Sequence, residues 1–375
     1  MRILVLTKRQ YMGKDLLDDR FGRFRELPLE LARLGHDVSG ICLSYRLRSG
    51  GETRDRDPST GTEVTWHSRN LGKLLLPGLA GYFSQATRLI HHFRPDLIWT
   101  CSDAFHAIFG VLLARLSGTK CVVDLYDNFE AFPATRLTGV LPLFKQAVRS
   151  ADGISCFSKR LADRVLTRHG PRANVAVIEN GVRTDLFYPR HRNQCRQKLD
   201  LSEHANIIGT AGALYRTRNI DILFRAFELL AAQDDNFHLA IAGPRERRVR
   251  IPAGPKVHDF GTLPWDQVPL LINALDVAVI CYRDSETGSF SFPQKAYEIL
   301  ACRTPIVAAA VGTMNDLLSG HPDCLFEPES PKGLVKAIRS QLSKPDIFDI
   351  GVPSWSDSAK KLGAFLESVA HGQGS

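Results

Sequence analysis

The chain has 375 residues, of which 44% are apolar and 23% charged, and a formal net charge of +8. That balance belongs to a globular protein of two or three domains and excludes a disordered, collagenous or coiled-coil chain. No run nears the ~18 uninterrupted apolar residues a membrane span needs, and the best stretch, 74–83, holds Pro77 and two glycines.

The opening run Met1–Leu6 leads at once to Lys8 and Arg9, the pattern of a strand and its loop and not of a secretory leader, so a cytoplasmic protein is expected. The eight cysteines, at 42, 101, 121, 156, 195, 281, 302 and 324, form no Cys-x-x-Cys pair and sit in apolar runs, as reduced core residues do. Charge is uneven. Residues 1–182 hold 26 Lys/Arg against 18 Asp/Glu, and the rest of the chain is neutral. A basic first half suits an anionic partner or serves ordinary solubility.

Short β-branched runs alternate with helical patterns from end to end, which predicts parallel α/β structure. The first half predicts strands at 3–7, 38–43, 97–100, 121–125, 153–157 and 175–179. Between the first two, apolar residues at 24, 27, 31 and 34 predict a helix ended by Gly35. Residues 46–70 are polar and predict a mobile loop with a short strand near Val64–Trp66. The second half repeats the plan, with strands at 207–210, 238–242, 277–281 and 306–310. Its helices fall at 220–232, 267–274, 294–301 and 331–342, and a last helix at 356–369. The turn-rich stretch Asn180–His191 divides the halves. The expected organisation is therefore two Rossmann-like domains, 1–182 and 183–352, facing each other across a cleft, then a terminal segment 353–375. Ligands of such sheets sit at the carboxyl ends of the strands.

The first strand-to-helix turn, Lys8–Asp19, has one glycine, Gly13. It lacks both the dinucleotide fingerprint and a Walker A loop, against a dehydrogenase and an ATPase. The richest segment is Ser285–Val307, a Gly/Ser loop entering a helix with Pro293 in its first turn. Free amides there favour an anion. Lys295 for a phosphate and Glu298, one turn on, for a sugar diol suit a nucleotide sugar; the alternative is an exposed i,i+3 ion pair. Arg216 and Arg218 in the segment 212–219 could grip a diphosphate, or be merely solvated. Asp124, Asp127 and Glu130 cluster at a strand end. His106 reads as a packed helix residue, and His91-His92 as a surface pair. Asp55-Arg56-Asp57 has metal-motif spacing but lies in the polar segment.

Over nearly its whole length the chain resembles glycosyltransferases of the GT-B fold, in particular the large retaining group called family four. The carriers are Leu31–Val38, Val177–Pro189, Gly212–Phe227, Gly261–Val279 and above all Phe292–Val307. The resemblance implies a C-terminal domain that binds a nucleotide-diphosphate sugar, an N-terminal acceptor domain, and a terminal helix that crosses back to the first domain. It puts Glu298 on the nucleotide ribose, Arg218 and Lys295 on the diphosphate, and Gly13, Gly212, Arg216, Ser291, Phe292 and Gln294 around the donor. The family's first glutamate falls on Phe290, leaving Asp284 or Glu286 to replace it. One diphosphate cation falls on Ala213, where Arg216 could substitute. The family's histidine near the donor sugar falls on Tyr126, with Asp127 beside it for polar work.

The expected function is a metal-independent, retaining glycosyltransferase of the hexosyl type, without cofactor or nucleic-acid partner. The acceptor would be lipid-linked or a polysaccharide. Basic residues Arg69, Lys73, Arg88, Arg94, Arg136 and Lys145 flank the leucine-rich stretches 74–76 and 137–144, which predicts a peripheral seat on the anionic inner membrane face. The alternatives are a nucleotide-sugar epimerase or hydrolase, and a non-catalytic sugar-nucleotide binder.

Overall fold

Runs of β-branched residues and leucine form two sheets of mostly parallel strands, the central ones buried on both faces. The computed structural model describes residues 1–11, 13–73, 75–170, 174–285, 290 and 294–372. The chain divides into two units, one of Met1–Gly181 with Trp355–Ser375 and one of Val182–Ser354.

In the first unit the strand order across the sheet is Val175–Val177, Gly153–Cys156, Lys120–Leu125, Leu97–Thr100, Arg2–Lys8, Asp37–Ser44, Glu63–Asn70 and Gly51–Arg56. All neighbours are parallel except the last pair. The order reverses direction beside Arg2–Lys8, so the crevice of a doubly wound sheet opens at the carboxyl ends of this strand and Leu97–Thr100. The segment 46–70 departs from expectation. It is chiefly an antiparallel pair, Gly51–Arg56 on Glu63–Asn70. Its outer strand is exposed at all but one position, so it has no apolar alternation to read. Side chains pin it instead: the Arg25 fork holds Asp55, and Arg33 pairs with Asp57. Gly40 is required because a Cβ there would collide with the Trp66 indole.

The terminal helix Trp355–Ala370 belongs to this unit. Trp355, Ala359, Leu362, Leu366 and Val369 form one buried stripe against Phe24, Leu27 and Leu31. Gly363 lies where a Cβ would crowd His36 and Leu31. Beneath the helix Arg23–Arg33, the Arg23 guanidinium is fully buried. It donates to both oxygens of Asp124 at 2.9 and 2.8 Å, to the Ile178 carbonyl at 2.9 Å and to Asn180 Oδ1 at 3.0 Å. Ser155 Oγ donates to the same aspartate at 2.6 Å.

In the second unit the strand order is Val257–Asp259, Phe237–Ala242, Asn206–Ala211, Val277–Ile280, Ile306–Ala309 and Leu325–Phe326, all parallel. Its direction reverses beside Asn206–Ala211. All eight cysteines are buried free thiols. Among the described residues no helix is long and apolar enough to cross a membrane.

Removing one partner of the Arg23–Asp124 pair strands a buried charge, at a cost of about 3–5 kcal/mol. Arg23→Met should therefore lower the urea midpoint of the first unit sharply, and Arg23→Met with Asp124→Leu should recover much of it. A double variant as unstable as the sum of the two singles would contradict this account.

Candidate active site

At the direction reversal of the second sheet, strand Asn206–Ala211 ends in Gly212, with φ +128. The Lys295 ammonium reaches this point from the helix Gln294–Ala301. A Cβ on Gly212 would lie 3.4 Å from Lys295 Nζ, and Thr210 Oγ1 is 3.5 Å from the same nitrogen. Gly243, at φ +139, ends the neighbouring strand; any side chain there would strike the Gly212 carbonyl. Both glycines thus keep the strand ends open to Lys295.

Arg218 lies in the short turn Arg216–Arg218, its guanidinium 4.8 Å above the Tyr282 ring. Two cations therefore share one strand end. Burial, then the Arg218 charge, bring the Lys295 ammonium down to about 8, against weaker support from Cys281 and Glu298. Glu298 lies one turn further along the helix and is buried. Burial pushes its carboxyl up to about 7, with the Lys295 charge opposing the rise. No ion pair joins Lys295 to Glu298, so the exposed i,i+3 pair left open by the sequence is not what the structure shows.

In the first unit, a second polar cluster stands at the carboxyl ends of Arg2–Lys8, Leu97–Thr100 and Lys120–Leu125. Lys8 Nζ donates to Tyr126 Oη at 3.1 Å, and the Lys8 amide donates to Ser102 Oγ at 2.9 Å. Burial lowers the Lys8 ammonium, although Asp103 and Asp127 draw it back up. Ser102 has φ +93, a strained value for a residue with a side chain. Asp103 caps the helix Ala104–Ser117, and its Oδ1 lies 2.8 Å from His106 Nδ1. Tyr45 donates to its other oxygen at 3.1 Å. Burial alone would raise Asp103, but His106 and Lys8 outweigh it and hold the carboxyl well below its ordinary range.

The structure thus gathers Gly212, Arg218, Lys295 and Glu298 at one strand end of the second unit. Gln294 is half-buried on the same helix. Arg216 is exposed and turns toward Asp221 at 3.7 Å. Tyr126 and Asp127 lie with Lys8 in the first unit, where Tyr126 also packs edge-on against Tyr11, Phe24 and Phe129. Gly13 occupies the exposed turn between the paired segments Gln10–Tyr11 and Lys14–Asp15. Asp284 is exposed and Phe290 half-buried. Ser291, Phe292, Pro293 and Glu286 lie outside the described residues. His106 is fully buried, as a packed helix residue should be. Lys8, Ser102, Asp103, Thr210 and Tyr282 were not singled out by sequence. Their one signal was position at a strand end.

The family model described as "Glycosyl transferases group 1" matches residues 205–344, and that described as "Glycosyl transferase 4-like domain" matches residues 23–181. A D-inositol 3-phosphate glycosyltransferase of Geodermatophilus obscurus is 29% identical over 252 residues, covering 60% of this chain and 54% of its own length. The chain spans between 54% and 61% of the first three curated relatives it matches. Among solved structures, sucrose-phosphate synthase from Thermosynechococcus elongatus superposes with a TM-score of 0.73 at 19% identity, covering 100% of this chain and 97% of its own. Anabaena HepE in complex with UDP-glucose gives a TM-score of 0.68 at 17% identity, with 99% of each chain covered. These likenesses show the two-domain GT-B fold.

The raised Glu298 carboxyl carries a stability signature. The folded chain holds a proton up to about 7 that the unfolded chain loses near 4.5. This contribution is full below the lower value and is lost as pH rises through the upper one. Between pH 5 and pH 8, wild-type stability should fall relative to Glu298→Gln by on the order of 2 kcal/mol, read from urea midpoints. Superimposable pH profiles would contradict the burial of this carboxyl.

Proposed function

This chain belongs to the glycosyl transferases of group 1, with a glycosyl transferase 4-like domain in its first half, and we propose that it moves a hexose from a nucleoside-diphosphate sugar to a hydroxyl acceptor. The observation that carries the reading is the pair of cations at the Gly212 strand end. Arg218 and Lys295 stand close enough for one to depress the other. A diphosphate between them would relieve that repulsion. The UDP-glucose complex of the Anabaena neighbour makes uridine diphosphate sugars the first donors to test.

In the proposed reaction the anomeric C–O bond to the diphosphate breaks, and its electron pair stays on the phosphate oxygen. The acceptor oxygen bonds to the anomeric carbon, and its proton passes to the departing phosphate on the same face, with retention of configuration. The protein's task is to hold the growing negative charge. Lys295 and Arg218 do so directly, from half-buried positions where such stabilisation exceeds that at the open surface. Arg216 gives up only a weak surface contact to join them. Glu298 accepts hydrogen bonds from the ribose hydroxyls. Metal independence rests on these cations supplying the charge. It is supported by Asp55 and Asp57, the one Asp-x-Asp spacing in the polar segment, both being committed to arginines.

We also propose that the acceptor is lipid-linked or a membrane-proximal glycan, met by the first unit at the anionic inner membrane face. Leu75, Leu76, Leu137 and Leu143 are 61%, 79%, 64% and 57% exposed. Lys73, Arg136 and Lys145 neighbour them in sequence. Phe144, in contrast, is core at 2%. Each basic residue near such a surface adds about 1 kcal/mol, screened by salt. Sedimentation should show binding to anionic vesicles that falls with salt and on replacing Arg69, Lys73 and Lys145 by glutamate. Equal partition to neutral vesicles would reject the membrane seat.

Incubation with UDP, GDP, ADP and dTDP sugars, with and without membrane extract, tests the activity. Free nucleoside diphosphate formed only with acceptor is expected. An epimerised donor, or binding without turnover, would overturn the proposal. Lys295→Ala and Arg218→Ala should each lower turnover at saturating donor by about 100-fold. Glu298→Ala should weaken nucleotide binding by about 10-fold or more, the loss of a charged hydrogen bond. Wild-type turnover in either cation variant would remove that residue from the mechanism.

A further inference from the structure

A cationic cavity lies in the same unit, at the end of its sheet opposite to Lys295. It is about 290 Å³ in volume and is lined by Tyr188, Arg190, His191, Gln194, Lys198 and Leu270, among others. Its position follows from Asn273, in the helix Val268–Ala274 that leads into the strand Val277–Ile280. Asn273 accepts from the Arg190 amide at 2.7 Å and donates to the Tyr188 carbonyl at 3.2 Å. The cavity therefore stands at the amino ends of the strands, whereas Gly212 and Lys295 stand at the carboxyl ends.

Charge in this region is handled in two ways. Arg192 and Arg196 both pair with Asp276 at 2.6 Å. For Arg190, His191 and Lys198, no carboxylate among the described residues lies within salt-bridge distance. The Arg190 guanidinium is nonetheless held in place. Its carbon stacks 4.6 Å from the Tyr188 ring centre, and one Nη donates to the Leu186 carbonyl at 2.9 Å. Its Nε is buried and meets no acceptor among the described residues. A guanidinium fixed by the Tyr188 ring and the Leu186 carbonyl, lining a cavity with a second cation that no carboxylate among the described residues matches, suits an anionic acceptor.

We infer that this cavity binds a phosphate monoester, its dianion held by Arg190 and Lys198. An arginine fork and a lysine point charge together suit the oxygens of a phosphate group. His191 adds a further ring nitrogen at the rim. The volume equals that of about ten liquid waters, more than a bare phosphate fills. The Tyr188 ring, the Leu270 side chain and the Gln194 amide give an uncharged body such as a sugar ring both apolar and polar contact. The site is distinct from the proposed donor site and does not depend on the reading of it.

Calorimetric titration of the full chain tests the inference, with inorganic phosphate, glucose 6-phosphate and glucose as probes. Phosphate and glucose 6-phosphate should bind saturably, and glucose should not. Lys198→Glu and Arg190→Gln should each weaken that binding by about tenfold or more, and Lys295→Ala should leave it unchanged. Lys198 is exposed, so its replacement decides the matter even where Arg190→Gln fails to fold. Tighter binding of glucose 6-phosphate than of phosphate would place the natural source among phosphorylated sugars, and equal binding would point to the free anion; both support the site. The inference falls if neither anion binds saturably. It falls equally if binding survives Lys198→Glu and disappears in Lys295→Ala, which would put the anion at the other strand end.

Discussion

Arg218 and Lys295, both half-buried, hold two positive charges at one strand end. Both Coulomb repulsion and lost hydration oppose that arrangement. The free protein relieves part of it because Lys295, brought down to about 8, gives up its proton more readily; Glu298, pushed up to about 7 by burial, supplies a compensating charge only above that pH. The strand end is thus poised to change its protonation when an anion arrives. The sheet makes this possible. Its direction reverses beside Asn206–Ala211, which leaves the crevice, and Gly212 and Gly243 have no side chains to fill it. A local strain in charge is therefore carried by a backbone that needs glycine at two adjoining strand ends.

The first unit treats charge differently. Its buried ions are matched: Arg23 with Asp124, Arg9 with Asp15, Arg25 with Asp55. Such pairs add little net stability but are costly to break, so they fix geometry more than they raise stability. Arg23 shows the use of this. It links the first long helix, a central strand and the segment around Asn180 through one guanidinium. What remains unmatched by full ion pairing gathers at the strand ends, where Lys8 meets the Tyr126 hydroxyl within the field of Asp103 and Asp127.

Much of this was legible in the amino-acid order. Central strands such as Leu97–Thr100 and Val277–Ile280 are buried at every position and read as continuous apolar runs. The terminal helix reads from its stripe of Trp355, Ala359, Leu362, Leu366 and Val369. The strand Gly51–Arg56 did not read, because an edge strand exposed on both faces has no hydrophobic period, and its anchors, Arg25 and Arg33, lie on a distant helix. Spacing placed Lys295 and Glu298 on one helix face but could not say that Glu298 was buried. Lys8 ends one strand and Asp103 caps the helix that follows its neighbour, 95 positions later in the sequence, and their meeting is a property of the sheet order alone. The cavity beside Arg190 was hidden for a related reason: Tyr188, Arg190 and His191 read as the turn that divides the two halves, and Gln194, Lys198 and Leu270 join them only in the fold.

The central claim is that the Lys295 charge answers to a bound diphosphate. With its ammonium brought down to about 8, Lys295 gives up part of its charge in the free protein near that pH. A docked diphosphate would restore the missing charge. Calorimetry in two buffers of different ionisation heat, with whichever of UDP, GDP, ADP or dTDP binds most tightly, measures this directly. The account predicts net proton uptake on nucleotide binding at pH 8, and none in Lys295→Ala. Binding with no proton uptake in the wild-type protein would contradict it.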